Sequence, residues 1–247
     1  MLGLHIDCST WKFSKHERDL RIRIWWGLYI HDKMSSLCWG RPSMIQHNEF
    51  STPLPHRRGS PCAEHLADAE LASFAFESCY TIISGQHTPG DTFVSLAKLT
   101  IILGQILSEF HSARAYQQER DAFSVAKKIK GYMGELEDWK AGLPLTLREV
   151  FADLPGPDAN TTPDLKVAWK VPGTKSLVLS YFGVLLLLCR TSLDSVTGTD
   201  TFDPSRVMPA HRAALHAATM LTQFMETLDD DDYLGFWLHC GWLPSKL

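Results

Sequence analysis

The sequence predicts an all-α fold, an irregular bundle of about six or seven helices. Apolar residues recur every three or four positions over long stretches, helix start and stop signals bracket those stretches, and no strand-like alternation competes with them. The chain has 247 residues, of which 45% are hydrophobic and 21% charged, the balance of an ordinary globular protein. We therefore expect one large domain.

The first predicted helix organises the rest of the chain. Ser14 is followed three residues later by Glu17, a capping-box pattern that starts a helix, and Gly40 is a natural stop. Trp25 and Trp26 are adjacent, so the two indoles cannot point the same way. Because this helix is apolar nearly all round, we expect other parts of the chain to cover it from two directions.

The remaining helices follow from the same periodicity. Asp91 is the expected N-cap of the helix after the Pro89-Gly90 turn. The other predicted helices span residues 63–84, 93–114, 117–141, 175–193 and 204–228.

Two proline-rich stretches separate these helices. Residues 40–61 form a connector, and residues 144–174, with five prolines, are predicted to be an internal loop of a single domain covering residues 1–247.

Net charge, cysteine spacing and the length of the apolar runs indicate whether the chain binds DNA, zinc or a membrane. The net charge of −4 is a poor match for DNA phosphates. The six cysteines contain no C-x-x-C pair, which favours buried reduced thiols over a zinc site. The most apolar run, residues 177–189, is shorter than the roughly 20 residues of a membrane span and predicts a core helix.

Enzyme motifs are missing from the sequence: it contains no phosphate-binding glycine loop, no nucleophile elbow and no H-E-x-x-H.

An ordered series of short motifs over the first fifty-five residues resembles the middle-homology regulatory domain of fungal zinc-cluster transcription factors. The run at residues 7–11 is most similar to the subgroup that controls nitrogen utilisation. The motifs are Leu2-Gly3-Leu4-His5, Arg21 and Arg23 before Trp25-Trp26, Asp32, Gly40-Arg41-Pro42-Ser43 and Pro53-Leu54-Pro55.

The resemblance implies an effector-responsive domain that controls RNA polymerase II transcription in the nucleus. It also implies that the domain is truncated in this chain and that a last helix begins near Phe236. In that family the zinc cluster and any coiled coil lie N-terminal to this domain, so we expect no cofactor in this chain and DNA contact only through the missing module. Expected partners are other transcription regulators or a second copy through the absent regions, and a small-molecule effector. No membrane contact is expected.

Eight residues of the first helix and the turn after it form the candidate regulatory motif. An acid and a base near an apolar helix tend to pair, which favours an Asp32–Arg41 or Asp32–Arg23 bridge that fixes the turn. The alternative is that these charges line an effector pocket between helices. The eight residues are Arg21, Arg23, Trp25, Trp26, Asp32, Gly40, Arg41 and Pro42.

Two other functions stay open from the sequence. One is a protein-interaction module, a truncated regulator that binds partners without DNA, suggested by apolar helix surface left uncovered. The other is an α-helical enzyme, which the lack of a catalytic constellation disfavours.

Overall fold

The structure is a computed structural model that describes residues 2–56, 87–117, 122–154, 162–197 and 204–229. Every regular element within those ranges is helical, which confirms the predicted all-α class. The helix predicted at residues 63–84 and the one expected near Phe236 lie outside the described residues. The helices are α1 Lys15–Trp39, a 3₁₀ turn His47–Glu49, α2 Pro89–Phe110, α3 Ala113–Gln117, α4 Ala122–Ala141, α5 Leu145–Ala152, α6 Pro163–Lys170, α7 Thr174–Thr197 and α8 Pro204–Glu226.

Helix α1 begins and ends as its local signals predict. The Ser14 hydroxyl accepts the N–H of Glu17, and the Glu17 carboxylate accepts the N–H of Ser14. Gly40 adopts a left-handed φ of 62° and donates its N–H to the carbonyl of Ser36. The two caps confirm the predicted bounds of this helix.

Helix α2 starts earlier than predicted. Its N-cap is Thr88, and Asp91, which we expected to be the N-cap, instead completes a capping box as the third helical residue. Pro89 occupies the first helical position, where a missing N–H costs nothing. The predicted turn is thus the first turn of the helix.

Residues 144–174, predicted to be an internal loop, contain the short helices α5 and α6. Pro163 occupies the start of α6, and the Thr162 hydroxyl caps it by accepting the N–H of Leu165. Pro144 immediately precedes α5. Proline interrupts a helix in its interior but is favoured at its first position. The prediction treated each proline only as a helix breaker.

Helices α2 and α7 form the centre of the bundle. Helix α2 packs against α1, α4 and α7, while α7 also packs against α4 and α8. Both are long and apolar enough to cross a membrane by length and composition, and 56% of each apolar window is buried among the other helices, as in core helices of soluble proteins. The largest fully buried side chains are Trp26, Tyr29, Phe110, Phe182, Phe224, Leu99, Leu103, Ile106, Leu136, Leu147, Leu177 and Leu188.

The described cysteines only partly match the expectation of buried thiols. Cys8 and Cys189 are buried, whereas Cys38 is exposed near the end of α1. Burial raises the pKa of the Cys189 thiol, which keeps it protonated. Cys62, Cys79 and Cys240 lie outside the described residues.

Candidate functional site

Asp32 is the acceptor at the centre of a polar network between α1 and the loop that follows it. One carboxylate oxygen, Oδ1, accepts the N–H of Met44 at 2.9 Å. The other, Oδ2, accepts the Ser43 hydroxyl at 2.8 Å and the N–H of Ile45 at 3.1 Å. A single side chain therefore holds three consecutive loop residues against the helix.

Lys33 completes this network from a buried position. Its Nζ lies 2.9 Å from Oδ2 of Asp32, and only 3% of its side chain is exposed. The same Nζ donates to the Ser43 hydroxyl and to the carbonyl of Ile45, and it lies 4.8 Å from the centre of the Tyr29 ring. We call Asp32, Lys33 and Ser43 the Asp32–Lys33 network.

The network keeps Asp32 ionised. Burial by itself raises the pKa of this carboxyl. Hydrogen bonds from the Met44 N–H, the Lys33 ammonium, the Ile45 N–H and the Ser43 hydroxyl act in the opposite sense, and the net result is a pKa below the usual value. Asp32 and Lys33 thus form a charged pair that carries additional hydrogen bonds.

The structure contradicts the predicted bridge from Asp32 to Arg23 or Arg41. Arg41 is exposed and Arg23 is half-buried, and the bonds to the Asp32 carboxylate come from Lys33 and the loop. The side chain of Arg21 points away from Asp32 and contacts the residues that precede α1. The four charges that we expected either to pair or to line a pocket therefore do not converge.

Arg21 fixes the residues that precede α1. Its guanidinium carbon lies 5.0 Å from the ring centres of both Trp11 and Phe13, and it donates to the carbonyl of Leu2. Stacking on two aromatic rings suits the planar guanidinium. Its role in the motif is to attach the N-terminal segment to α1.

The two adjacent tryptophans are covered by the loop at residues 47–55 as well as by helices. Trp26 is buried, and its indole N–H donates to the carbonyl of Pro53 at 2.7 Å. Trp25 is half-buried, with its ring 5.3 Å from that of Phe50, and Phe50 also meets Trp26 edge to face at 5.6 Å. One phenylalanine thus contacts both indoles.

The crossing of α1 and α2 depends on a glycine. A Cβ placed on Gly104 would lie 2.7 Å from the Tyr29 hydroxyl oxygen and 3.1 Å from Cε of Lys33. Tyr29 is fully buried, and its hydroxyl has no hydrogen-bond partner in the described part of the chain. Burial, and secondarily the charge of Asp32, raise the pKa of this phenol.

Sequence reasoning missed Lys33, Tyr29 and Gly104 as parts of this site. Only the glycine left a usable signal, because an isolated glycine in a strongly apolar helix often marks a close approach.

A second buried polar group, His87, connects the beginnings of three helices. Its Nδ1 lies 2.9 Å from the Thr146 hydroxyl at the start of α5, and its Nε2 lies 2.9 Å from the Thr174 hydroxyl at the start of α7. His87 itself precedes α2. Burial lowers the pKa of this imidazole to about 4, despite the opposing charge of Asp91, so it is neutral near pH 7.

A small cavity of about 120 Å³ lies between α2 and the end of α4. Its buried wall includes Trp139, whose indole N–H donates to the carbonyl of Ser95 at 3.0 Å. Lys98 and Asp138 lie at its edge. Trp139 also stacks on Tyr181 of α7, with ring centres 5.9 Å apart.

These polar clusters hold helices and loops together. Among the described residues, no three His, Cys, Asp or Glu side chains converge as they would around a metal ion. The Asp32–Lys33 network and the His87 cluster are satisfied largely by hydroxyls and backbone groups of the same chain. Their geometry supports a domain stabilised by internal polar contacts.

The sequence of this chain is similar to those of known transcription factors. Residues 1–141 match the sequence model described as the fungal specific transcription factor domain. The chain is 25% identical to the transcriptional activator protein DAL81 of Saccharomyces cerevisiae, over 97% of this chain and 26% of that protein.

Two further relatives are also transcription regulators by name. The chain is 24% identical to the transcription regulator galc of Aspergillus niger, over 83% of this chain and 26% of that protein. It is 23% identical to the cutinase transcription factor 1 alpha of Fusarium vanettenii, over 95% and 22% of the two chains. This chain thus spans about a quarter of each relative's length. No solved structure matches it.

Proposed function

Because this chain belongs to the fungal specific transcription factor domain family, we propose that it is the regulatory domain of a fungal-type factor that controls RNA polymerase II transcription. The observation that carries the proposal is the family match over residues 1–141, which contain α1, α2, α4 and the whole Asp32–Lys33 network. The named relatives support the same role.

We propose a division of labour in which zinc and DNA contacts belong to a different module of the factor. The net charge of −4 supports this, because tight DNA binding needs a basic face. The scattered cysteines support it too, because a zinc cluster needs closely spaced thiolates. On this proposal the chain itself holds no cofactor and acts in the nucleus.

The regulatory role is non-enzymatic in this proposal. Two observations support this. The named relatives are transcription regulators, and the polar side chains of Asp32 and His87 form hydrogen bonds that join elements of the same chain. Other transcription regulators and a small-molecule effector are the proposed partners. The Asp32–Lys33 network contributes by fixing the loop after α1. Release of that loop would change the surface that the domain offers to a partner.

A reporter assay tests the proposal. Residues 1–247 are fused to an unrelated DNA-binding domain, and transcription from its cognate promoter is compared with that given by the DNA-binding domain alone. We expect the fusion to raise or lower output at least several-fold on at least one nitrogen source. Equal output at equal nuclear abundance, on every source tried, would count against a regulatory role.

The DNA part is tested separately by fluorescence anisotropy with random duplexes. At physiological salt we expect only weak binding, with a dissociation constant in or above the range of about 10⁻⁶ to 10⁻⁴ M that is typical of non-specific contacts. Tight, sequence-dependent binding by the isolated chain would overturn the division of labour.

A further inference from the structure

Ser43 joins the loop after α1 to the Asp32–Lys33 network. Its hydroxyl donates to Oδ2 of Asp32 at 2.8 Å and accepts a hydrogen bond from the Lys33 ammonium. The carboxylate and the ammonium carry opposite charges, so the site is neutral overall while Ser43 is an unmodified serine. A charged group attached to the Ser43 oxygen would therefore upset the balance between Asp32 and Lys33.

Side chains of α1 hold the loop at residues 41–45 in place. Within the described ranges, these five residues form no backbone–backbone hydrogen bond. The N–H groups of Met44 and Ile45 both donate to the Asp32 carboxylate, and the carbonyl of Ile45 accepts from Lys33. Because two side chains carry these bonds, the loop can open locally without loss of a helix.

The residues around Ser43 suit an arginine-directed protein kinase. Arg41 is exposed two positions before the serine, and Pro42 and Met44 on either side of it are exposed too. Protein kinases select substrates partly by charge pattern. The residue after the serine is Met44 and not proline, so the pattern does not fit a proline-directed kinase.

We propose that Ser43 is a phosphorylation site, and that a phosphate there releases the loop after α1 from the Asp32–Lys33 network. A protein kinase transfers the γ-phosphoryl group of ATP to Oγ of Ser43. The new O–P bond forms as the bond from the γ-phosphorus to the β-phosphate oxygen breaks, ADP leaves, and the hydroxyl proton passes to a base of the kinase. The proposal rests on the proposed function only for its effect on transcription.

Charge makes the phosphate and the closed loop incompatible. A phosphoserine carries a charge of about −1.5 to −2 near pH 7, and it lacks the proton that Ser43 now donates to Asp32. Its oxygens would face the Asp32 carboxylate, and Lys33 supplies one positive charge for both anions. The Lys33 side chain is only 3% exposed, so water screens little of the repulsion. The loop must therefore open for water to solvate the phosphate.

Two other serines also have an arginine two positions before them. Ser192 follows Arg190 but lies inside α7, where helical hydrogen bonds hold its backbone. It is an internal comparison for Ser43, which lies in a loop. Ser60 lies outside the described residues, and it is replaced by alanine in the kinase assay so that it does not obscure Ser43.

An assay in vitro tests the site. The full 247-residue chain with Ser60→Ala is incubated with ATP and an arginine-directed kinase, and peptide mapping by mass spectrometry locates the phosphate. We expect phosphate on Ser43 and none on Ser192. Arg41→Ala should lower the rate at Ser43 by about ten-fold or more, because it removes the charge that the kinase reads.

Three results of this mapping would overturn the site. They are a chain without phosphate on Ser43, equal phosphorylation of Ser192, and an unchanged rate in Arg41→Ala. The same mapping on the chain recovered from a fungal host should find phosphate on Ser43 on at least one nitrogen source. Its absence on every source would also count against the proposal.

Hydrogen exchange tests the release of the loop. In the phosphorylated chain, the N–H groups of Met44 and Ile45 should exchange about ten-fold faster or more than in the unmodified chain, because they lose their bonds to Asp32. Ser43→Glu should act in the same direction, since it also places a second carboxylate beside Asp32. Met44 and Ile45 amides that stay protected in the phosphorylated chain would show that the phosphate and the closed loop coexist, which would overturn the release.

Two controls accompany this measurement. Gln46→Glu adds the same charge at an exposed position of the same loop and should leave the exchange of Met44 and Ile45 within about two-fold of the wild type. The Glu17 amide, bonded to Ser14 at the opposite end of α1, should keep its protection in every form. Faster exchange at Glu17 in the phosphorylated chain would show general unfolding instead of loop release.

The effect on transcription is measured with the fusion to an unrelated DNA-binding domain. Output from Ser43→Glu and Ser43→Ala should differ several-fold at equal protein abundance, because only the glutamate opens the loop. Equal output from the two variants, with an active wild-type fusion, would overturn the switch but not the proposed function. An inactive wild-type fusion would instead count against the proposed function, and the exchange of Met44 and Ile45 would then decide whether phosphate opens the loop.

Discussion

The Nζ of Lys33 lies 2.9 Å from Oδ2 of Asp32, although the two residues are neighbours on one helix. Consecutive helical residues point about 100° apart and do not normally face each other. The pair forms because both side chains turn toward the same loop, at Ser43 and Ile45. This neighbour pair, rather than an arginine, is what fixes the turn after Gly40.

Removing the charge of Asp32 should destabilise the domain strongly. Asp32→Asn keeps the shape of the side chain but leaves the buried Lys33 ammonium without its counter-charge. We expect the free energy of unfolding to fall by about 2–4 kcal/mol. Urea unfolding followed by circular dichroism measures the change.

Arg41→Ala is the matched control for that experiment. Arg41 is exposed and takes no part in the bonds around Asp32, so its loss should cost less than about 0.5 kcal/mol. If Arg41→Ala destabilised the domain as much as Asp32→Asn, the Asp32–Arg41 bridge that the sequence favoured would have to be reinstated.

Any side chain at Gly104 should force α1 and α2 apart. Gly104→Ala places a methyl group 2.7 Å from the Tyr29 hydroxyl oxygen, and we expect a loss of about 1–3 kcal/mol of stability. Tyr29→Phe removes that oxygen and should recover part of the loss, an interaction that a double-mutant cycle measures by urea unfolding.

Gly131→Ala on α4 provides the comparison for Gly104→Ala. Its new methyl group meets no other atom within 4 Å, so the higher helix propensity of alanine should stabilise the domain by about 0.5–1 kcal/mol. Equal effects of the two substitutions would mean that Gly104 is not a contact point.

Acid should weaken the domain through His87. Its pKa in the folded protein, about 4, is below the ordinary value of 6.5. Between these values the unfolded state binds more protons, so the stability from this group is complete above pH 6.5 and is lost as the pH falls toward 4. We expect a loss of about 3 kcal/mol across that window.

His87→Gln isolates this contribution. The variant should have a lower melting temperature at pH 7, and the slope of its melting temperature between pH 6.5 and 4.5 should be shallower than that of the wild type. The same slope in both proteins would show that the acid sensitivity comes from other groups.

Two tryptophans should respond very differently to truncation. Trp139 is buried, donates to the carbonyl of Ser95 and stacks on Tyr181, so Trp139→Ala should cost about 3–5 kcal/mol. Trp39 is 66% exposed at the end of α1, and Trp39→Ala should change the unfolding free energy by less than about 0.5 kcal/mol. A large loss in Trp39→Ala would indicate a contact beyond those in this structure.

Short sequence patterns predicted the helices and the ends of α1, because these features depend only on residues that are close in sequence. The capping box at Ser14 and the stop at Gly40 need only neighbouring residues, and both are confirmed. The all-helical class followed from a periodicity that each helix carries by itself. The loop predicted at residues 144–174 was wrong because the helices there start at or just after a proline, which the prediction treated only as a breaker.

The network around Asp32 could be predicted only in part. That Asp32 would pair with a cation near the turn followed from the cost of burying a lone charge. The identity of the cation did not follow, because it depends on where residues 43–45 return to the helix. His87 was missed for the same reason, since its partners Thr146 and Thr174 are distant in sequence.

The central claim is that transcriptional control resides in this domain and depends on the fold that Asp32 secures. Its most direct test is reporter output from the chain fused to an unrelated DNA-binding domain, measured for the wild type, Asp32→Asn and Gly131→Ala at equal protein abundance. We predict that the wild type and Gly131→Ala change output several-fold and that Asp32→Asn falls to the level of the DNA-binding domain alone. Output from the wild-type fusion equal to that of the DNA-binding domain alone, or full activity in Asp32→Asn, would contradict it.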